Sequence, residues 1–323
     1  MRALTLRSLD GPDAAEVADV PEPPSAEMVV IDVEAAGLGF ADVLISRGLY
    51  QVRPSTPFVP GMEVAGVVRR TVPGIGLLVG ARVTALTGVG GGCAERASVP
   101  PAYVFPRPAA LDAVAGASLV VNYHTAYFAL HRRARLKPGE TVLVQGAGGG
   151  LGQAVVQVAK GLGATVIALG SSERKREAAR AAGADEVLAP DAGWAQQVRA
   201  LTGGHGVNVL VDPVGGDRFD DNVRVLAPEG RLVVVGFAAG QIPTVKANRL
   251  LLRNVSVLGA VWREFVTDNE PGYARRTATA LDEMIERGHV APRPGGVFPL
   301  EQGAEAMRAL AEQRLVGRVV LTL

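Results

Sequence analysis

Residues 145–152 read Gln-Gly-Ala-Gly-Gly-Gly-Leu-Gly, so five of eight positions lack a side chain. Glycines there let a chain turn tightly and bring backbone N–H groups against a pyrophosphate. The N-terminus of a following helix adds roughly half a positive charge. Such a run carries meaning only between a strand and a helix. Val142-Leu143-Val144 precede it as an apolar run. Leu151, Ala154, Val155, Val158, Ala159 and Leu162 follow at i, i+3, i+4, i+7, i+8 and i+11, one face of a helix. The segment predicts a dinucleotide-binding turn; the alternative is a glycine-rich turn that serves packing alone.

The next strand, 164–169, should deliver the residue that meets the adenosine ribose. A site for NAD places a carboxylate there. This chain instead reads Leu169-Gly170-Ser171-Ser172-Glu173-Arg174-Lys175-Arg176. Hydroxyl and cationic donors suit a 2′-phosphate, and Lys175 is one of only four lysines in the chain. The pattern predicts NADPH over NADH, against the reading of a solvated first turn with Glu173 among mixed charges.

Alternating segments position these residues: strands at 141–145, 164–169, 186–189, 207–212, 231–235 and 255–260, and helices at 149–162, 172–182, 193–202 and 216–226. Alternation of this kind implies an α/β domain with a doubly wound parallel sheet. The first third reads differently, as short strands (28–33, 63–68, 82–86) between Pro- and Gly-rich breakers, which suits a small β-barrel or sandwich-like module. Residues 112–133 read as one or two helices. The last sixty residues (helix 271–287, strand-like 316–323) do not continue the alternation and are expected to fold back on the first module.

The composition excludes several classes. At 323 residues the chain is about two domains long. Lys and Arg number 33 against 32 Asp and Glu, so a net charge of +1 leaves no field to favour nucleic acid or an anionic membrane. No apolar run reaches the ~18 residues that span a bilayer. The start, MRALTLRSLDGPDAAEV, lacks the apolar core of a signal peptide, and a cytoplasmic location is expected. Cys93 is the single cysteine, which excludes an intrachain disulfide and a multi-thiolate zinc site. His124, His131, His205 and His289 are never three or four apart, and no metal is expected.

The chain resembles the zinc-independent medium-chain dehydrogenases/reductases, closest to the NADPH:quinone oxidoreductase (zeta-crystallin-like) group. Gly37-Leu38-Gly39-Phe40-Ala41-Asp42-Val43, Arg47-Gly48-Leu49-Tyr50, residues 57–68, His124-Thr125-Ala126-Tyr127, the glycine turn, Val211-Asp212-Pro213-Val214-Gly215-Gly216, Gly236-Phe237 and Gly317-Arg318-Val319-Val320-Leu321 carry it. The resemblance implies a GroES-like β-barrel domain from 1–121 and 262–323, with a Rossmann domain for NADPH at 122–261. It places Phe40, Ala41, Asp42 and Thr125 at the nicotinamide. It places Gly149, Gly150, Leu151 and Gly152 at the pyrophosphate, and Ser171 and Lys175 at the 2′-phosphate. Gly236 and Phe237 flank the nicotinamide side, and Arg314 approaches from the C-terminal segment. Met62 stands where zinc-dependent relatives carry His, which disfavours Lewis-acid alcohol oxidation. Gly39 stands where the group commonly has Asn, Pro190 where a Tyr often packs, and Ala81 where Asp is usual.

These readings predict an NADPH-dependent reductase of quinones or small enones. An enoyl-thioester reductase and a non-catalytic NADPH-binding protein are the competing readings. Reduction of an enone gains from a placed acid, whereas hydroquinone protons exchange with solvent. Tyr50 is the candidate active-site hydroxyl, and a packing aromatic on the cleft wall is its alternative. His124, Cys93, Trp262 and Phe265 each have an equally plain structural reading. Strand 255–260 should lie at a sheet edge and pair with its symmetry mate in a homodimer.

Overall fold

The computed structural model describes residues 1–270 and 272–323, and at 267 and 268 the backbone alone. The chain divides into two compact units. One holds Met1–Asn122 with two later segments ending at Asp282 and Leu323; the other holds Tyr123–Glu270 and Glu283–Ala291. Residues beyond 262 are thus shared between the two. Among the described residues no helix is long and apolar enough to cross a membrane.

The second unit is built on a six-stranded sheet in the order Glu186–Leu188, Thr165–Leu169, Thr141–Val144, Val207–Asp212, Leu226–Val234, Ser256–Gly259. Every neighbouring pair is parallel. Leu143 stands opposite Ile167 on one side and Leu210 on the other, and Leu210 opposite Leu232. All four are buried, which is why these strands are continuous apolar runs rather than alternating ones. The order reverses direction at Thr141–Val144. Crossovers therefore leave it toward opposite sides and open a crevice at the carboxyl ends of the strands. The glycine turn lies directly after that strand. This is the doubly wound Rossmann order expected from the alternation.

Two local expectations are corrected. The helix expected over 216–226 is a short 3₁₀ turn, Gly216–Arg218, followed by a helix at Phe219–Arg224. The strand expected to start at 231 starts at Leu226. Pro228 and Gly230 read as breakers, but the ladder absorbs them in an irregularity: Val207 pairs with Leu226 and then Val209 with Arg231, with Glu229 at φ +60°. Ser256–Gly259 is the edge strand, as anticipated.

In the first unit a seven-stranded, largely antiparallel sheet runs from Pro294–Pro299 through Arg318–Thr322, Val29–Leu38, Glu63–Arg70 and Arg82–Leu86 to Val104–Pro106, with Arg96–Val99 also on Val29–Leu38. The C-terminal strand pairs antiparallel with the third strand of the chain, Val319 opposite Leu38 and Leu321 opposite Ala36. Leu4, Leu6, Ile31, Leu38, Val64, Met307 and Leu321 share one core. The strand Pro294–Pro299 and the helix Gly303–Ala311 carry no strong signal in the sequence; Pro and Gly fill the first, and among the described residues its strand partner is Arg318–Thr322.

Candidate functional site

The glycine turn leaves Thr141–Val144 at Gln145 and enters the helix Gly150–Gly161. Gly146 takes φ +59°, a left-handed conformation that favours glycine. Ala147 N–H then donates to Leu169 O (3.0 Å) and Gly149 N–H to Gly146 O (3.0 Å), which fixes the turn against the neighbouring strand. A Cβ on Gly152 would lie 2.6 Å from Ala147 Cα and overlap Gly146 O, so only glycine lets the helix start this close to the turn. The helix begins at Gly149 with no side-chain cap. The N–H groups of Gly150, Leu151 and Gly152 therefore have no partner within the helix, and donors so placed can hold an anion.

The corner after the second strand has the donors of a phosphate site. Ser172 caps the helix Glu173–Ala181 by accepting from Lys175 N–H. Lys175 Nζ donates to Ser171 Oγ at 3.4 Å, which brings the ammonium and the hydroxyl together. Glu173, at the start of that helix, is bonded by Arg180 (2.8 Å) and Arg176 (2.6 Å), which hold it below the usual carboxylate range. It is turned into its own helix. A Cβ on Gly148 would press on Lys175 Cβ at 2.5 Å, so the turn and the basic corner are packed as one piece.

Below the turn runs a buried polar chain that the sequence does not reveal. Gln145 Nε2 donates to Asn222 Oδ1 (2.6 Å), and Asn222 Nδ2 to Asp212 Oδ2 (3.0 Å). Asp212 Oδ1 accepts from Val214 and Gly215 N–H at 2.8 and 2.9 Å. Burial pushes the Asp212 carboxyl up, and these donors oppose the shift. The following backbone is thereby tied to residues 235–239: Ala238 N–H donates to Pro213 O and Ala239 N–H to Val214 O. Gly236 and the 39 % exposed Phe237 sit on this double loop. Asp212 closing a strand before Pro-Val-Gly-Gly is the one signal that could have found it.

In the first unit, Gly39 precedes the helix Phe40–Ser46. Asp42 is fully buried. Its two oxygens accept from Gly39 N–H (2.8 Å) and Gly61 N–H (2.9 Å), so the carboxylate ties two loops together. Phe40 and Ala41 are half-buried beside it. Arg318 Nε lies 2.7 Å from Glu63 Oε1, a charge contact whose angle is not that of an aligned hydrogen bond, and Glu63 Oε2 accepts from Val121 N–H. Burial pushes both carboxyls up and Arg318 pulls both back down. Tyr50 is half-buried in the irregular chain after the helix; Thr125, in the second unit, is half-buried on the helix Val120–Tyr127.

Other candidates find structural partners. Cys93 is sealed in the first unit's core, and burial raises its thiol well above the ordinary value. Trp262 packs on His124 (5.0 Å) and Phe265 on Phe128 (5.1 Å). Arg314 pairs with Glu305 and Glu312 at 2.9 and 2.5 Å. Burial lowers His124 to about 3, so the imidazole is neutral in the fold. The unfolded chain binds one proton more between about pH 6.5 and 3. Stability should therefore fall as pH drops, by up to about 1.4 kcal/mol per unit for this group. Urea titrations of wild type and His124→Phe from pH 7 to 4 check this; equal slopes would exclude it.

The chain matches two family models, an alcohol dehydrogenase GroES-like domain over residues 25–109 and a zinc-binding dehydrogenase domain over 150–279. Quinone oxidoreductase-like protein 2 of Bos taurus is 40% identical over 94% of this chain and 87% of its own length. A probable oxidoreductase from Mycobacterium abscessus superposes with TM-score 0.92 at 42% identity, covering 100% and 99% of the two chains. The quinone oxidoreductase from Thermus thermophilus, solved also in complex with NADPH, gives TM-score 0.85 at 37% identity over both chains in full. The zinc implied by the second model's description does not fit the residues present. Among the described residues no three His, Cys, Asp or Glu side chains come together as ligands, and Met62 offers only a thioether. The glycine cradle and the Ser171–Lys175 corner do fit a phosphorylated dinucleotide.

Proposed function

Because this chain belongs to the zinc-independent quinone oxidoreductase group of the medium-chain dehydrogenases/reductases, we propose that it is an NADPH-dependent oxidoreductase acting on quinones or small conjugated enones. The observation that carries the proposal is the pairing of an uncapped, glycine-rich helix start at Gly149–Gly152 with the Lys175–Ser171 corner. Bound NADPH supplies the hydride. The backbone donors of Gly150, Leu151 and Gly152 would hold the pyrophosphate, and the 2′-phosphate would take the charge of Lys175 and the hydroxyl hydrogen bond of Ser171. Phe40, Ala41, Thr125, Gly236 and Phe237 border the nicotinamide in this reading. Asp42 contributes through the loops it ties, and Tyr50 presents a hydroxyl to the acceptor. Arg314 reaches the cofactor only by leaving Glu305 and Glu312. The division of labour follows: a barrel domain of 1–121 and 262–323 for the acceptor, and 122–261 for the cofactor.

Lys175→Glu tests the cofactor assignment. NADPH affinity should fall by about one to two orders of magnitude while NADH affinity stays level, because one charge-assisted contact is replaced by repulsion. Equal losses for both nucleotides in calorimetry would contradict it. We propose also that the protein is cytoplasmic and homodimeric through the Ser256–Gly259 edge, whose Val257 and Leu258 are only partly buried. Light scattering at micromolar concentration should return twice the mass of the chain; a monomer mass would count against it.

A further inference from the structure

The place of a side chain at Gly39 is already taken. A Cβ built there would overlap Arg318 Nη1, so the guanidinium lies across the bare face of the glycine. Arg318 is 5% exposed. Its Nε faces Glu63 Oε1 and its Nη2 donates to Gly37 O at 3.2 Å. Among the described residues, Nη1 has no hydrogen-bond partner. Unlike the sealed Nε, Nη1 keeps some solvent contact, so it can donate to a group from outside the chain.

We propose that Arg318 Nη1 holds the carbonyl oxygen of the hydride acceptor. The inference rests on the reading that residues 40–42 border the nicotinamide. As hydride adds at one end of a conjugated acceptor, the displaced electron pair settles on the carbonyl oxygen at the other end as a phenolate or enolate. The acceptor gains two electrons and NADPH leaves oxidised; a solvent proton completes the hydroquinone, or the saturated ketone by protonation at the α-carbon. Arginine stays charged throughout, so it stabilises the oxyanion and gives up no proton. Glu63 Oε1 and Gly37 O fix the guanidinium beforehand, as such stabilisation requires. The substrates selected are carbonyl-bearing acceptors whose product passes through an oxyanion.

Two variants test this. Arg318→Lys keeps the charge between the carboxylates and loses Nη1. Gly39→Ala keeps the arginine and forces Nη1 aside, at a φ of −140° that alanine adopts freely. Both should bind NADPH as wild type does and lose at least about 10-fold in kcat for quinones. A second readout needs no turnover: 4-nitrophenol, a phenolate mimic, should ionise more when added to wild type than to either variant, read by its absorbance. Folded variants with wild-type kcat and the same phenolate fraction overturn the proposal. Should Arg318→Lys not fold, Gly39→Ala decides. Failure of wild type itself to reduce any acceptor while binding NADPH would sink the functional reading, and this inference with it.

Discussion

Gly152→Val is expected to weaken NADPH binding at least about 100-fold while the parallel sheet survives. The atoms that a Cβ would strike, Ala147 Cα and Gly146 O, belong to the backbone of the turn itself. No side chain can swing away, so the helix start must lift off the turn. The N–H groups of Gly150, Leu151 and Gly152 then no longer converge. Loss of two charge-assisted hydrogen bonds at about 1.5–3 kcal/mol each raises the dissociation constant at least about 100-fold. Overpacking adds about 1–3 kcal/mol of destabilisation. Calorimetric NADPH affinity within a few-fold of wild type for Gly152→Val would refute the assigned cradle.

Arg318→Met should be the most damaging change in the first unit. Asp42 and Glu63 are both fully buried, and Arg318 is the cation beside both. Removing one partner of a buried pair costs about 3–5 kcal/mol, because the remaining charge has no water to return to. That is a large share of the ~5–15 kcal/mol that holds a typical domain together. The variant should melt far below wild type or fail to accumulate. Glu63→Gln in the same chain should restore part of the loss, since it removes one of the stranded charges. A single variant as stable as wild type in urea would mean that Arg318 does not compensate these carboxylates.

The doubly wound unit was legible because its strands are buried on both faces and its helices carry one apolar stripe, so period and punctuation agreed. Leu143, Leu210 and Leu232 announced themselves as core without any knowledge of pairing. The glycine turn between strand and helix, and the approach of Lys175 to Ser171, were legible because they are local: a turn, a helix start and a strand tip close in sequence. Asp212, Asn222 and Gln145 were not, because each looks like an ordinary polar residue until the fold brings residues 77 positions apart within 2.6 Å. Arg318 is the same case over a longer span, bonded to Gly37 from 281 residues away. Leu226–Val234 was read short because Pro228 and Gly230 are breakers by propensity, which the sheet overrode. His124 and Cys93 carry reactive groups by type, and only the fold shows that burial holds the imidazole neutral and raises the thiol well above its ordinary value.

The most direct measurement is the rate of NADPH oxidation by the purified wild-type chain, followed by loss of the reduced nicotinamide absorbance with a panel of benzoquinones, naphthoquinones, simple enones and a crotonyl thioester, and repeated with NADH. The account predicts rapid turnover of quinones or enones with NADPH, and much slower turnover with NADH at equal concentration. NADPH that binds but is never oxidised by any acceptor, or faster turnover with NADH, would contradict it.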